Sequence, residues 1–302
     1  MSRSRQPVPD TRSPYPGTGN VMTTGRLAPT PSGLLHLGNV CAFAGAWLSA
    51  RADGGRLFLR IEDVDRQRSR VDVEQALRDD LTWLGLTCDR ETLRQSARDY
   101  APALARLAPR LYHCQCTRAM RDRPRPATAG CGGGCVDRGY TEGAVRFRLQ
   151  PAVVSFVDRR WGPQQADPRP FGDPILVRRD GLVSYNLAVV ADDIRDGVND
   201  VVRGSDLLEY TAVQIQLWEA LGTTPPRWLH TPLVLGADGK KLSKSHGSAH
   251  VGAMRAAGAT SADVWRLVLP WLGVEGVSSL AAALPLWEPT AGLRGPITLD
   301  GA

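Results

Sequence analysis

A turn near the start of the chain carries residues suited to holding phosphate. Pro29-Thr-Pro-Ser-Gly-Leu-Leu-His-Leu-Gly38 lies between a predicted strand and a predicted helix. Its prolines and glycines favour a tight turn, and the free N–H groups of the following helix would face an anion there. His36 stands at the mouth of that turn. Taken alone, His36 is more simply explained as a surface histidine beside a helix cap.

A lysine-rich segment far along the chain is the second candidate. Gly239-Lys-Lys-Leu-Ser-Lys-Ser-His-Gly247 holds three lysines and two serines between flanking glycines. Ammonium groups on such a loop can surround a polyphosphate as point charges. For a lone lysine cluster, however, a solvated basic loop is the simpler explanation.

Four of the six cysteines fall within one short stretch. Cys114-Gln-Cys116 is followed, after fourteen residues, by Cys131-Gly-Gly-Gly-Cys135. Two close pairs of thiolates suit a tetrahedral structural zinc site, which would fold a segment too small to hold itself together. Tyr140 is a spare candidate ligand, and reduced thiols in a flexible loop are the alternative. The other two cysteines are predicted to be inert core residues, Cys41 and Cys88.

Composition limits the kind of protein that these residues serve. The 302 residues are 42% hydrophobic and 23% charged, which is typical of a globular protein. No apolar run approaches the ~18 residues of a transmembrane helix. Residues 1–24 lack the apolar core of a secretory signal, so a disordered leader is expected. The formal net charge of +6 permits a polyanionic partner without requiring one.

The hydrophobic pattern predicts strands that alternate with helices. Strands are expected at residues 25–28 and 56–61, and helices at 37–52 and 73–84. This alternation favours a parallel sheet with crossover helices. Further helices are expected at residues 97–110 and 206–221, with strand-like pieces at 144–149 and 153–157 between them.

The two phosphate-type motifs together resemble the paired signatures of class I aminoacyl-tRNA synthetases. Gly25-Arg-Leu-Ala-Pro-Thr-Pro-Ser-Gly-Leu-Leu-His-Leu-Gly38 and Arg60-Ile-Glu-Asp-Val-Asp65 are similar to the glutamyl/glutaminyl branch. Tyr185-Asn-Leu-Ala-Val-Val-Ala-Asp-Asp193 and Val202-Arg-Gly-Ser-Asp206 resemble later segments of that branch. The resemblance covers residues 25–245 and implies a Rossmann-like α/β catalytic domain.

The resemblance and the composition shifts together predict five segments. A leader spans residues 1–24, and the first half of the catalytic domain spans 25–111. A small inserted zinc-bearing α+β module is expected at 112–178. The second half of the catalytic domain, with the lysine segment, spans 179–245, and a short helical C-terminal region spans 246–302.

Length favours the shorter members of the branch, the glutamyl-queuosine tRNA(Asp) synthetases. Only 57 of the 302 residues follow Ser245, too few for the anticodon-binding region of a full glutamyl-tRNA synthetase. This resemblance implies tRNA-independent activation of L-glutamate with ATP and Mg²⁺, then transfer to the cyclopentene-diol of queuosine in tRNA(Asp). It further implies a cytoplasmic monomer without membrane association. A truncated glutamyl-tRNA synthetase charging tRNA(Glu) and a non-catalytic RNA-binding paralogue stay open as alternatives.

The resemblance also implies roles for individual residues. Those expected to act on the phosphates in catalysis are His36, Lys241 and Lys244. Those expected to contact ATP are Pro29, His36, Gly38, Asn39, Lys241, Ser243 and Lys244. Those expected to contact glutamate are Arg26, Leu27, Ala28, Pro29, Thr30, Glu62, Tyr185 and Arg203. The zinc ligands would be Cys114, Cys116, Cys131 and Cys135, with Cys131 standing where short relatives often have tyrosine.

The chemistry of glutamate supports this pocket independently. Its two carboxylates and one ammonium need two cations and one anion. Arg26 and Arg203 are the predicted carboxylate partners, because guanidinium binds carboxylate bidentately. Glu62 is the predicted partner of the ammonium, and Tyr185 adds a hydroxyl. The alternative for Arg26 and Glu62 is a structural ion pair with each other.

Overall fold

The computed structural model describes residues 21–117, 134–242 and 250–299. Strand β1 (Thr24–Leu27) pairs in parallel with β2 (Arg56–Leu59), which pairs in parallel with β3 (Arg90–Glu91). Helices α1 (Leu37–Ala52) and α2 (Val71–Trp83) form the crossovers that parallel strands require. The predicted parallel α/β fold is confirmed.

A second sheet lies beside β1. Its strand order is β7-β6-β10-β9, formed in that order by Gly162–Ala166, Val154–Asp158, Arg227–Thr231 and Asp200–Gly204. Strand β9 starts next to β1, where the Asn199 amide donates to the Thr24 carbonyl oxygen at 3.0 Å. The strand order therefore reverses between β1 and β9. In open α/β sheets, ligands bind at such a switch point, beyond the carboxyl ends of the strands.

Helix α1 is apolar on most of its surface, as a helix enclosed by other elements must be. Val40, Cys41, Ala44 and Leu48 along it are fully buried. Burial raises the pKa of the Cys41 thiol to about 12, which agrees with the prediction of an inert core cysteine. The packed helix holds its N-terminal end, capped by His36, at the carboxyl end of β1.

Two predicted helices differ from the structure at their ends. The helix expected at residues 97–110 is α3 (Ala101–Leu107), followed by a 3₁₀ turn at Ala108–Arg110. Pro109 lacks the N–H that a continuing helix would need. The helix expected from residue 206 is α5 (Thr211–Ala220), because Ser205–Leu207 forms a separate 3₁₀ turn.

A third, antiparallel sheet carries the cysteines. Its order is β4-β5-β8, formed by Leu111–Cys114, Ala144–Phe147 and Ile175–Val177. Phe147 and Leu176 pack into a hydrophobic cluster with α5 and with α4 (Tyr185–Asp196). Strands β6 and β7, which the predicted segmentation assigns to the inserted module, instead hydrogen-bond to the sheet of β9 and β10. The domain boundaries themselves stay a prediction.

The C-terminal residues pack against the first sheet. They form α6 (Val251–Ala256), α7 (Ser261–Val268), α8 (Leu280–Ala283) and β12 (Ile297–Thr298), which pairs with β11 (Val234–Leu235). Buried tryptophans anchor them in the main core: Trp265, Trp271 and Trp287. None of the helices in the described ranges is long and apolar enough to cross a bilayer.

Candidate active site

A cavity of about 350 Å³ lies at the carboxyl ends of β1 and β9. His36 and Lys241 both line it, so the fold brings the two phosphate-type motifs together. An adjoining cavity of about 730 Å³ shares both residues and adds Pro29. The predicted site residues that line the first cavity are Arg26, Ala28, Thr30, His36, Gly38, Asn39, Glu62, Tyr185, Arg203 and Lys241.

His36 is held in place by the start of α1. Its Nδ1 accepts from the Asn39 amide at 3.3 Å, and its own amide donates to Asn39 Oδ1 at 3.2 Å. Because Nδ1 accepts, the neutral imidazole carries its proton on Nε2. A Cβ atom on Gly38 would lie 3.1 Å from Nδ1 and Cε1 of the ring. Glycine at that position therefore leaves room for the imidazole.

Lys241 is the lysine of this segment that lines the cavity. Its Nζ forms an ion pair with Asp206 Oδ2 at 2.5 Å, and its side chain is half exposed. Leu242 beside it is buried, and its amide donates to the Val234 carbonyl oxygen. The base of the segment is thus anchored next to the cavity. The predicted ATP contacts Ser243 and Lys244 lie outside the described residues.

A buried network of ion pairs forms the floor of the site. Asp193 Oδ1 accepts from Arg26 Nε at 3.2 Å and lies 2.7 Å from Arg60 Nη1. Arg60 Nη2 in turn contacts Glu62 Oε1 at 3.1 Å. Arg26 and Glu62 therefore pair with Asp193 and Arg60 rather than with each other. Arg26 Nη1 donates to the Val202 carbonyl oxygen, and within the described ranges no hydrogen bond engages its Nη2.

Glu62 is a buried carboxylate with the guanidinium groups of Arg60 and Arg26 nearby. Burial raises its pKa, although Arg60 and Arg26 oppose the shift. A cation placed beside this carboxylate would favour its ionised form. Glu62 is therefore suited to receive an ammonium group in the cavity.

Arg203 differs from Arg26 in its partners. Its guanidinium donates to four neutral acceptors: His230 Nε2 at 3.0 Å, Thr211 Oγ1 at 2.8 Å, the Leu207 carbonyl oxygen and Gln214 Oε1. It has no carboxylate partner within the described part of the chain. Burial lowers its pKa to about 10, which leaves it cationic at neutral pH. Arg203 thus offers the cavity its positive charge and the remaining N–H of Nη1. It does not offer the two parallel N–H groups that bind a carboxylate bidentately.

The other predicted residues take different positions. Tyr185 begins α4 and lines the cavity with a partly exposed ring. Leu27 contributes its side chain to the core and lines neither cavity, because successive side chains of a strand point to opposite faces. Pro29 lines only the adjoining cavity.

Several polar residues of the site were given no role by the sequence reasoning. Arg60, Asp193 and Asp206 lie inside the motifs quoted above, so the motifs held a signal for them. Their pairing with other site residues needed the fold. His230 and Asp158, which lie behind Arg203, belong to no motif.

The charge on the cavity wall suits an anionic ligand. The lining residues include three cations, Arg26, Arg203 and Lys241, against two anions, Glu62 and Asp206. The formal balance is one positive charge, and free glutamate carries one negative charge.

The cysteine cluster has the dimensions of a metal site. The sulfurs of Cys114, Cys116 and Cys135 lie within 4.8 Å of one another, and those of Cys116 and Cys135 are 3.7 Å apart. Zn–S bonds of about 2.3 Å in a tetrahedron place sulfurs about 3.8 Å apart. These three thiols are therefore compatible with zinc. The predicted fourth ligand, Cys131, lies outside the described residues.

The thiols of the cluster differ in their surroundings, and burial together with the neighbouring sulfurs raises the pKa of Cys116 to about 12. Burial opposes ionisation of Cys114, but the Cys116 amide and the Arg146 guanidinium outweigh it and lower the Cys114 pKa. Gly143, at φ +122°, lies against the backbone of Cys114. A Cβ atom at Gly143 would meet the Cys114 carbonyl oxygen at 2.6 Å. Tyr140, the spare candidate ligand, packs beside the cluster, and its hydroxyl accepts from Arg138 Nη1 at 3.1 Å.

Comparison with known proteins identifies relatives over most of the chain. The family model of class I tRNA synthetases (E and Q), catalytic domain, matches residues 21–120 and 138–269. A glutamyl-Q tRNA(Asp) synthetase of Nitratidesulfovibrio vulgaris is 40% identical over 80% of this chain and 84% of its own length. One from Leptothrix cholodnii is 41% identical over 88% of this chain and 97% of its own length.

Solved structures show a similar fold. A glutamate-tRNA synthetase from Elizabethkingia anophelis matches with a TM-score of 0.76 at 22% identity, over 93% of this chain and 68% of that one. At this identity the likeness concerns the fold. The family model and the relatives show that the chain belongs to the class I tRNA synthetases of the glutamate and glutamine branch, in the glutamyl-Q tRNA(Asp) synthetase family.

Proposed function

We propose that the chain activates L-glutamate with ATP in the absence of tRNA and transfers the glutamyl group to queuosine of tRNA(Asp). The observation that carries the activation step is the shared cavity of His36, Lys241, Arg26 and Arg203. The names of relatives at about 40% identity support the second step.

Glutamate recognition follows from the charges on the cavity wall. Arg26 and Arg203 face the two carboxylates, and Glu62 receives the ammonium, which restores the ionised state that burial disfavours. Tyr185 adds a hydroxyl, and Ala28 and Thr30 line the same wall. Asp193 forms ion pairs with Arg26 and Arg60 and so holds both guanidinium groups in place.

In the activation step, one oxygen of the glutamate α-carboxylate attacks the α-phosphorus of ATP. The bond from that phosphorus to the bridging oxygen breaks, and pyrophosphate leaves. The protein lowers the barrier by positioning the reactants and neutralising phosphate charge. His36, through Nε2–H, and the N-terminal end of α1 hold the phosphates. Lys241 and Lys244 neutralise the leaving pyrophosphate, and bound Mg²⁺ supplies further positive charge.

Pro29, Gly38, Asn39 and Ser243 complete the ATP contacts in this proposal. Of these, Pro29 and Asn39 line the adjoining cavity, which has room for the rest of the nucleotide. In the transfer step, a hydroxyl oxygen of the queuosine diol attacks the acyl carbon of the glutamyl-adenylate. The bond from that carbon to the phosphate oxygen breaks, AMP leaves with the oxygen, and the hydroxyl proton is released to solvent.

The zinc ion has a structural role in this proposal. Cys114, Cys116 and Cys135 would supply three of its ligands, and Cys131 would be the fourth. The ion would link the end of β4 to the 3₁₀ turn that follows Cys135. It takes no part in glutamate activation.

The alternative acceptor is the 3′ end of tRNA(Glu). The fold likeness to solved glutamate-tRNA synthetases favours it, but the names of the more similar relatives favour queuosine. Transfer of labelled glutamate to tRNA(Asp), with and without queuosine, separates the two. We expect labelling only of queuosine-containing tRNA(Asp), even when its 3′ diol is blocked. Labelling of tRNA(Glu) that depends on its 3′ diol would overturn the proposed acceptor.

A further inference from the structure

Three buried polar side chains form a row behind the cavity. Asp158 at the end of β6 lies 2.7 Å, through Oδ2, from His230 Nδ1 on β10. His230 Nε2 lies 3.0 Å from Arg203 Nε on β9. Asp158 and His230 have no solvent exposure, and Arg203 reaches the cavity wall. The row thus joins an interior carboxylate to a cation of the ligand site.

The geometry determines which imidazole nitrogen carries the proton. Arg203 Nε–H can only donate, so His230 Nε2 must accept and is unprotonated. The Asp158 carboxylate can only accept, so His230 Nδ1 carries the proton. The other oxygen of Asp158 accepts from the amides of Arg160 and Trp161, both at 2.9 Å, which fixes the carboxylate in turn.

We propose that Asp158 and His230 are positioning residues that aim the Arg203 guanidinium at a glutamate carboxylate while leaving its charge uncompensated. This inference rests on the proposed function. A carboxylate in direct contact with Arg203 would hold it equally well, but it would neutralise the charge needed for the substrate. The His230 imidazole, between Asp158 and Arg203, is oriented by the carboxylate and in turn orients the guanidinium. It presents only a neutral acceptor to Arg203.

The remaining partners of Arg203 agree with this role. Gln214, Thr211 and the Leu207 carbonyl oxygen are also neutral acceptors, so they direct the guanidinium without cancelling its charge. Its ring neighbour is Trp228, whose centroid lies 4.9 Å from the guanidinium carbon. A buried cation surrounded in this way binds an anion in preference to the isosteric amide. The arrangement therefore favours glutamate over glutamine.

Asp158→Asn tests the row with the smallest change in shape. If the new amide nitrogen faces His230, Nδ1 must accept and Nε2 must carry the proton, so two donors meet at Arg203. If the side chain is flipped, the amide nitrogen instead faces the Arg160 and Trp161 N–H groups. Either orientation places a donor against a donor.

The measurement is glutamate-dependent ATP–pyrophosphate exchange by the whole chain. We expect Asp158→Asn to raise the KM for glutamate at least tenfold, with the KM for ATP unchanged within about twofold. We expect His230→Gln, which can still accept from Arg203 and donate to Asp158, to raise the glutamate KM less than His230→Leu. The matched control is Tyr100→Phe, which removes a buried 2.9 Å hydrogen bond to Asp192 away from Arg203.

The outcomes separate this inference from the proposed function. An unchanged glutamate KM in Asp158→Asn, with an active unsubstituted chain, would overturn the inference alone. Equal changes in both KM values, matched by Tyr100→Phe, would also overturn it. No exchange by the unsubstituted chain would overturn the proposed function and this inference with it.

A second measurement needs no stable variant. ¹⁵N NMR of the unsubstituted protein reports which nitrogen of His230 is protonated, and the five histidines of the chain keep the spectrum simple. We expect a proton on Nδ1 and none on Nε2. A proton on Nε2 would contradict the row.

Discussion

The cavity at the ends of β1 and β9 and the cysteine cluster beside β4 are both built from polar side chains, but their surroundings differ. The ion pairs of Arg26, Asp193 and Arg60 lie between two sheets and helices with extensive apolar clusters. Among the residues that the structure describes, the cysteine cluster has Cys114 and Cys135 as its buried members, with Tyr112, Cys116 and Tyr140 packed around them. The first region is held by packing, and the second has little packing to hold it.

This difference assigns different work to the polar groups. Around the cavity, the packing of the fold supplies the stability, so the charged groups can serve to bind a ligand. In the cysteine cluster, the thiols must supply stability themselves, which a bound metal allows them to do. We therefore expect substitutions in the cavity to affect chemistry first and substitutions in the cluster to affect local structure first.

Among the residues that the structure describes, the largest expected effect comes from Arg26→Ala. The change removes a carboxylate partner from the cavity and leaves Asp193 with Arg60, so kcat/KM for glutamate in pyrophosphate exchange should fall about a hundredfold or more. The matched control is Arg56→Ala on β2, an exposed position. A fall of similar size in the control would contradict a role specific to the cavity.

Cys116→Ser should separate the two regions most clearly. We expect loss of stoichiometric zinc and rapid proteolysis near residue 116, because the remaining thiols cannot complete the site. Glutamate activation should stay within about threefold of normal. Cys88→Ser, at a half-buried cysteine outside the cluster, should keep its zinc. Loss of activation in step with loss of zinc would show that the two regions are not independent.

Gly38→Ala should have a moderate effect confined to the cavity. The new methyl group would lie 3.1 Å from the His36 ring and displace it, so exchange should fall about tenfold without a change in melting temperature. Gly252→Ala in α6 has open space around it and serves as the control. Full activity of Gly38→Ala would mean that the imidazole position is unimportant.

The smallest effect concerns pH. Burial lowers the pKa of His230 to about 4, below its ordinary value of 6.5. The folded state therefore disfavours protonation of His230. The stability that neutral His230 contributes is lost as the pH falls from 6.5 towards 4. The free energy of unfolding should drop by about 1 kcal/mol between pH 7 and 5.5 from this group. Denaturant unfolding of His230→Gln should show a correspondingly flatter pH dependence, and an equal slope would contradict it.

The sequence was a good guide where local pattern and motif coincide. Helix α1 lies at the predicted residues, and His36, Lys241, Arg26 and Arg203 line one cavity, as the resemblance implied. The partners were harder to foresee because they depend on contacts across the sheet. Asp193 reaches Arg26 from 167 residues away, and His230 lies on the strand next to Arg203.

For two predictions, which stay predictions, the structure adds local detail that the motifs do not contain. Leu27 was grouped with the glutamate contacts, but strand alternation turns its side chain into the core. Strands β6 and β7 were grouped with the cysteine module, but β6 pairs with β10 through Asp158 and Trp228. That pairing also places Asp158 behind His230, where no local pattern would have located it.

Glutamate-dependent exchange of labelled pyrophosphate into ATP, without tRNA, is the most direct test of the function assigned to the cavity. We predict exchange that requires L-glutamate, does not respond to added tRNA and is nearly abolished in Lys244→Ala. Exchange that appears only when tRNA is added, or none at all from folded protein, would contradict it.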